Sequence, residues 1–180
     1  ITVFMIAAFA VFIKSEPYRW NRLMTFLNPS AETLGEGYHI NQAFIAVSQG
    51  GFWGLGFGRS IQKMEYLPEP HTDSIFAIIC EELGFVRSSL VVVAYLFLFI
   101  FGVRIAKKAV DRFGKLLATG ITVALCAQAV VNISAMLGLV PLTGVTLPFV
   151  SYGGSSLVVS FLLIGILLNI SKVSNQYVEA

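Results

Sequence analysis

Charged residues are scarce in this chain of 180 residues: 12% are Asp, Glu, Lys or Arg, whereas 56% are hydrophobic. A water-soluble domain of this size cannot hide so much apolar surface, because a folded chain buries only part of what it exposes when unfolded. Several uncharged runs are long enough to cross a bilayer as a helix, which requires about 20 residues. The composition therefore excludes an ordinary soluble domain and predicts an all-α, polytopic transmembrane helix bundle.

Cysteine is equally scarce, and the chain does not open with a signal-peptide pattern. Cys80 and Cys126 both lie in apolar runs, which favours packed thiols over a disulfide framework or a metal site. Residues 1–13 are apolar from the first position, with no basic n-region before them. We therefore interpret this segment as the far half of a membrane helix rather than as a leader.

The apolar runs predict one integral membrane domain with five membrane segments. The first segment is truncated and the second is short and broken, and the five cover residues 1–13, 38–58, 73–103, 116–139 and 148–170. Most of the Lys and Arg residues lie after residue 13, after residue 103 and at Lys172. By the positive-inside rule these connections face the cytoplasm. The loops at 59–72 and 140–147 are then both extracytoplasmic.

The glycine-rich stretch at residues 49–58, QGGFWGLGFG, interrupts the second segment. One interpretation is an unwound or re-entrant element beside a cavity, where irregular backbone is tolerated at membrane depth. The other is a close helix crossing through small residues. The stretch is not a dinucleotide-binding fingerprint, because no strand precedes it and no βαβ unit surrounds it.

The stretch that organises the chain is residues 67–85, LPEPHTDSIFAIICEELGF. Pro68 and Pro70 restrict the backbone and remove two hydrogen-bond donors, so we expect extended or turning chain there. Thr72 is then placed to cap a helix, with Asp73 in its first turn near the positive end of the helix dipole. Because ionisable groups at membrane depth are costly, Asp73 is the best candidate for chemistry. The alternative is a carboxylate at an ordinary helix start.

Four other polar groups near Asp73 have two interpretations each. His71 either assists proton transfer or phosphate binding, or is a solvated loop residue. Arg59 and Lys63 either hold a pyrophosphate, as cations do for anionic headgroups, or are solvated loop charges. Glu81 lies eight residues beyond Asp73, about 12 Å along a helix. It either lines the floor of a polar cavity or pairs with a basic group on another helix.

The second polar loop contains the sequence SYGGSS at residues 151–156. Ser151 and Ser155 have no histidine or lysine base at a suggestive spacing, so neither is expected to act as a nucleophile. They are interpreted as small residues for close packing or as hydroxyls that line a cavity and contact substrate. Asn132 begins a glycosylation sequon inside an uncharged span, where we expect no glycan.

Three stretches, residues 15–29, 42–85 and 132–157, resemble in the same order the SEDS family of bacterial wall synthesis, which comprises the FtsW, RodA and SpoVE proteins. They cover more than half of the chain and are closer to the FtsW/SpoVE branch than to RodA. The resemblance implies the C-terminal half of a ten-helix, multi-pass protein of the bacterial cytoplasmic (inner) membrane. Two positions depart from the family pattern: Ser74 stands where Phe is common, and Arg87 where a small residue is commoner.

The resemblance further implies a peptidoglycan glycosyltransferase that polymerises lipid II into glycan strands on the extracytoplasmic face, in division, cell-shape maintenance or sporulation. Lipid II is a disaccharide peptide linked to undecaprenyl pyrophosphate. Asp73 matches the aspartate regarded as essential, so it is expected to take the proton of the acceptor 4-hydroxyl. Arg59, Lys63 or a divalent cation, Mg²⁺ or Mn²⁺, is expected at the pyrophosphate. No other cofactor is expected.

The partners implied by the resemblance are lipid II, the membrane and a class B penicillin-binding protein that acts as transpeptidase, with no nucleic acid. Two other functions are compatible with the same residues. A flippase would use intramembrane carboxylates and a broken helix as a translocation path for lipid II. A noncatalytic scaffold of a wall-synthesis complex would depend on its helix surfaces rather than on Asp73.

Overall fold

The computed structural model describes residues 22, 24–26, 36–63, 67 and 71–179, with the side chains of all of these except residues 36 and 175–179. Within these ranges every regular element is a helix, so the all-α prediction is confirmed. The helices with defined bounds are α1 Glu36–Gly50, α2 Ile75–Lys108, α3 Arg112–Met136 and α4 Gly154–Glu179. The segment predicted at residues 1–13 lies outside the described residues, as do Pro68 and Pro70.

Three of these helices are long and apolar enough to cross a membrane: residues Ile75–Lys108 of α2, Arg112–Met136 of α3 and Gly154–Ser174 of α4. Their bounds differ from the predicted spans because local polar contacts, not the apolar run, decide where each begins. Helix α3 begins early because the Asp111 carboxylate accepts the Gly114 N–H at 2.8 Å, as an N-cap does. The chain is a multi-pass membrane protein.

Helix α1 does not qualify as a membrane span. Its 15 residues rise about 22 Å, short of the roughly 30 Å hydrocarbon core, and irregular backbone follows it. The membrane crossing predicted at residues 38–58 as a short, broken segment stays a prediction.

The glycine-rich stretch packs against a kink in α2. Gly84 has φ 74° and ψ 178° and interrupts the helix. Backbone hydrogen bonds of 2.9–3.3 Å join the two elements, from Leu55 to Glu81, Gly56 to Glu82, Phe85 to Gly51 and Val86 to Phe52. Each element thereby satisfies the polar backbone groups of the other, which is the condition for irregular backbone at membrane depth.

Three glycines make this contact possible because a side chain would collide with backbone. A Cβ atom on Gly50 would lie 1.9 Å from the carbonyl oxygen of Cys80, and one on Gly54 would lie 2.2 Å from that of Glu82. A Cβ on Gly84 would lie 2.3 Å from the Gly54 nitrogen. Both interpretations of the stretch therefore hold, since the backbone is irregular and small residues permit a close crossing.

The main hydrophobic core lies among α1, α2, α3 and the loop after α3. Its tightest contacts use small side chains that are at most 1% exposed: Ala43, Ala46, Ala77 and Ala129. Small residues let helix backbones approach closely in membrane bundles. Cys80 is buried, Cys126 is half-buried and both are free thiols, as predicted. This core holds the start of α2 beneath the loop that joins α3 to α4.

Replacing Gly84 by Ala should lower the stability of the full-length protein in detergent by roughly 2 kcal/mol or more, because Ala is strained at positive φ and its Cβ meets backbone. The expected readout is a lower midpoint of thermal unfolding. Gly120→Ala is the matched control: Gly120 lies in α3 with nothing within 4 Å of its Cβ position. An unchanged midpoint for Gly84→Ala would contradict the close docking of the two elements.

Candidate functional site

Asp73 lies immediately before α2 rather than in its first turn. Ser74 is the N-cap residue, and its side chain makes no capping hydrogen bond. The prediction that Thr72 caps the helix is therefore wrong. The Thr72 hydroxyl instead donates to Asp73 Oδ1 at 3.2 Å. It therefore forms a hydrogen bond with the carboxylate rather than with a backbone N–H of the helix.

The backbone of Asp73 is attached to α3 through Asn132. The Asn132 Nδ2 group donates to the carbonyl of Asp73 at 2.8 Å and to that of Val145 at 2.6 Å. Asn132 is only 1% exposed. One buried amide thus joins the segment before α2 to the loop after α3. From the sequence, Asn132 was considered only as part of an unused sequon, and its role in the site was missed.

Ser151 makes a second connection between the same two segments. Its hydroxyl donates to the Thr72 carbonyl at 2.5 Å and accepts the Leu147 N–H at 2.7 Å. The Tyr152 N–H donates to the His71 carbonyl at 2.8 Å. Because Ser151 is 1% exposed and bonded to backbone on both sides, it positions the site. Ser155, by contrast, is exposed at the start of α4.

A histidine that the sequence did not single out approaches the aspartate through Ser74. His39 Nε2 on α1 lies 2.5 Å from Ser74 Oγ, and Ser74 Oγ lies 3.4 Å from Asp73 Oδ1. Ser74 is fully buried. The order imidazole, hydroxyl, carboxylate forms only when α1 packs on α2. His39 and Ser74 are 35 residues apart, so no local pattern could have indicated the contact.

Glu81 does not make either of the contacts expected of it. Its carboxylate is fully buried and accepts hydrogen bonds from Ser60 Oγ at 2.5 Å and from the Ile61 N–H at 2.9 Å. The irregular chain after α1 supplies these donors, so Glu81 needs neither a basic partner nor a polar cavity. It holds in place the loop on which Arg59 and Lys63 are exposed.

The remaining candidates fall into two groups. His71 is exposed and lines, with Ser151 and Tyr152, a surface depression of about 470 Å³. Arg59 and Lys63 belong to the loop that Glu81 holds in place, which precedes His71 and Asp73 in the chain. A separate apolar cavity, also of about 470 Å³, adjoins the glycine-rich stretch. Its walls include Val47, Phe52, Phe76, Cys80, Phe85 and Val92.

Comparison with known proteins settles the family. The family model of the FtsW, RodA and SpoVE cell cycle proteins matches residues 1–176. The chain belongs to the FtsW/RodA/SpoVE family. The resemblance drawn from the three sequence stretches is confirmed.

Named relatives within the family include a sporulation protein and probable glycosyltransferases. Stage V sporulation protein E of Bacillus subtilis is 46% identical over 169 residues, which is 94% of this chain and 46% of that protein. The probable peptidoglycan glycosyltransferase FtsW of Pseudomonas fluorescens is 42% identical over 178 residues, 97% of this chain and 44% of that protein. The chain therefore spans about half the length of the curated relatives it matches.

A solved structure of a peptidoglycan synthase complex, described as coordinating polymerization and crosslinking, contains a chain with the same fold. It superposes with a TM-score of 0.73 at 27% identity, over 97% of this chain and 48% of that chain. The predicted polytopic helix bundle of this family is thus confirmed.

Ser74 gives this member of the FtsW/RodA/SpoVE family a polar contact that a phenylalanine would not provide. A Phe side chain has no group to bond to His39 or to Asp73, whereas the Ser74 hydroxyl lies near both. The other departure, Arg87, is exposed just beyond the kink at Gly84. An exposed position accommodates the charge without a buried partner.

Ser151→Ala should lower the unfolding midpoint of the full-length protein, because it leaves the buried Leu147 N–H and Thr72 carbonyl without their partner. The expected loss is about 1–3 kcal/mol. Ser155→Ala is the matched control in the same sequence motif, and its exposed hydroxyl should contribute less than about 0.5 kcal/mol. Equal effects of the two substitutions on the midpoint would contradict the connecting role of Ser151.

The contact between His39 and Ser74 can be measured by a double-mutant cycle. His39→Ala and Ser74→Ala should each destabilise the protein, and the double variant should lose less than the sum of the two. A coupling free energy of about 1 kcal/mol is expected for a half-buried hydrogen bond. Additive losses in chemical or thermal unfolding would show that the two side chains do not interact.

Proposed function

We propose that the protein containing this chain is a peptidoglycan glycosyltransferase that polymerises lipid II during division or sporulation, with Asp73 as its general base. The observation that carries the proposal is the way Asp73 is held. Asn132 fixes its carbonyl and Ser151 fixes the preceding carbonyl, while the residue itself is half-buried at the start of a membrane helix. The names of the relatives support the same reaction.

The proposed chemistry needs one proton acceptor at a defined place. The 4-hydroxyl of the acceptor sugar attacks the anomeric carbon of the donor, a new C–O bond forms, and the bond from that carbon to the pyrophosphate oxygen breaks. Undecaprenyl pyrophosphate leaves and the hydroxyl proton passes to the base. Asp73 Oδ1 already accepts from Thr72, which leaves Oδ2 as the oxygen to take this proton.

Positive charge must compensate the leaving pyrophosphate. Arg59 and Lys63 are exposed on the loop held by Glu81, and guanidinium and ammonium groups are suited to phosphate oxygens. A divalent cation, Mg²⁺ or Mn²⁺, would be held by the substrate phosphates and water, because the described residues contain no group of three or more His, Cys, Asp or Glu side chains placed to bind a metal ion. Such a cation would stabilise charge on the leaving group.

The prenyl chain of the substrate requires an apolar path. The cavity of about 470 Å³ beside the glycine-rich stretch has that character. Val47 on α1 and Phe76 and Val92 on α2 line this cavity. His39 also lies on α1, and Asp73 immediately precedes α2. We propose that part of the undecaprenyl chain lies there while the sugar rings reach Asp73.

The distribution of charge supports an extracytoplasmic reaction in the bacterial cytoplasmic membrane. Arg104, Lys107 and Lys108 lie at the end of α2 opposite Asp73, and basic residues mark the cytoplasmic side. A class B penicillin-binding protein is the proposed partner. The similar chain in a solved peptidoglycan synthase complex supports an assembly of this kind.

Asp73→Asn in the full-length protein, assayed with its transpeptidase partner, should reduce glycan formation from labelled lipid II by at least about 100-fold, because the amide cannot accept the proton. The assay is run in detergent, where a polymerase makes strands and a flippase has no second compartment to serve. Asp111→Asn is the matched control: Asp111 is the N-cap of α3, just beyond the opposite end of α2, and Asn retains the capping function.

Two outcomes would contradict the proposal, and the control variant detects a general defect. Retained polymerisation by Asp73→Asn would exclude this carboxylate as the base. Absence of glycan from the unaltered protein, with normal lipid II transport in sealed vesicles, would favour the flippase.

A further inference from the structure

A small cleft with basic and hydroxyl side chains in its walls lies at the end of the bundle opposite Asp73. It has a volume of about 240 Å³ between the last turns of α2 and the C-terminal part of α4. Its walls are Phe101, Arg104, Ile105, Lys108, Ser171 and Ser174. Nothing in the proposed glycosyltransfer uses these residues.

Two cations line the cleft from one face of α2. Arg104 and Lys108 are four residues apart, so their side chains are neighbours on the helix surface. The Arg104 guanidinium lies 5.5 Å from the centre of the Phe101 ring, a cation–π distance that holds it in place. No carboxylate is among the cleft residues that the structure describes. The Asp111 carboxylate nearby is engaged with the Gly114 N–H.

The opposite wall offers hydroxyl donors. Ser171 and Ser174 form no hydrogen bond with any residue in the described ranges, and Ser174 is only 3% exposed. Their hydroxyl groups are thus available to donate to a ligand that enters the cleft. Two cations facing two hydroxyl donors form a site for an anion with several acceptor oxygens.

We propose that this cleft binds the phosphate of an anionic phospholipid headgroup, independently of the glycosyltransferase site. A lipid is favoured over a soluble anion because the cleft opens beside exposed apolar side chains of the membrane span. Phe97 and Phe101, stacked at 6.4 Å, are each more than half exposed there. Basic pockets between membrane helices on the cytoplasmic side bind anionic headgroups in this manner.

The test uses the purified full-length protein in nanodiscs of phosphatidylcholine with increasing phosphatidylglycerol, with retained lipid counted by native mass spectrometry. Phosphatidylglycerol should be retained over phosphatidylcholine. The double variant Arg104→Gln/Lys108→Gln should bind it about tenfold or more weakly. Lys107→Gln/Lys115→Gln is the matched control, because it removes the same charge from positions outside the cleft. Its affinity should fall less than about threefold.

Ser174→Ala should weaken retention about threefold without changing the charge. Equal losses in the two double variants would overturn the proposal, since they would indicate diffuse attraction to the membrane surface. Saturation by soluble glycerophosphate in pure phosphatidylcholine nanodiscs would overturn it too, by assigning the cleft to a free phosphate. Should the first double variant fail to fold, Lys108→Gln compared with Lys107→Gln decides the same question.

Discussion

Two hydrogen bonds from the buried amide of Asn132 join the segment before α2 to the loop after α3, and the geometry of the candidate site depends on them. One reaches the carbonyl of Asp73 and the other that of Val145, so residues far apart in sequence share a single donor group. Ser151 repeats the connection through the Thr72 carbonyl. The backbone of a residue that precedes a helix normally moves with the loop to which it belongs. Here its backbone is fixed to the packed helix α3, and preorganised geometry of this kind is what a general base requires.

The other half of the site depends on backbone rather than on side chains. The kink at Gly84 exposes carbonyl and N–H groups of α2, and the glycine-rich stretch pairs with them. That pairing places the chain after α1 beside Glu81, whose carboxylate accepts hydrogen bonds from the Ile61 N–H and the Ser60 hydroxyl. The loop with the candidate phosphate-binding cations is therefore a consequence of how α2 bends. Each supplies backbone hydrogen-bond partners that the other would lack in apolar surroundings.

Hydropathy predicted the three long helices and the all-α class because bilayer burial is encoded locally, in runs of about 20 residues. Hydropathy could not give the detailed course of the chain around α1, because the apolar residues at 38–58 are shared between a short helix and irregular backbone. Asp73 stood out as an ionisable group beside apolar sequence. The contacts of Asn132 and His39 could not be predicted, because they depend on how separate helices pack and leave no local pattern.

Asp73 and Glu81 show how the surroundings of two carboxylates separate their functions. Both lie on or beside the same helix, and both were candidates for the site. Glu81 is fully buried, and Ser60 and the backbone of the following residues engage both of its oxygens, so no acceptor remains for a substrate. Asp73 is half-buried, and its side-chain contacts with Thr72 and Ser74 both involve Oδ1. A base must be held firmly yet keep one lone pair accessible, and of the two carboxylates only Asp73 meets both conditions.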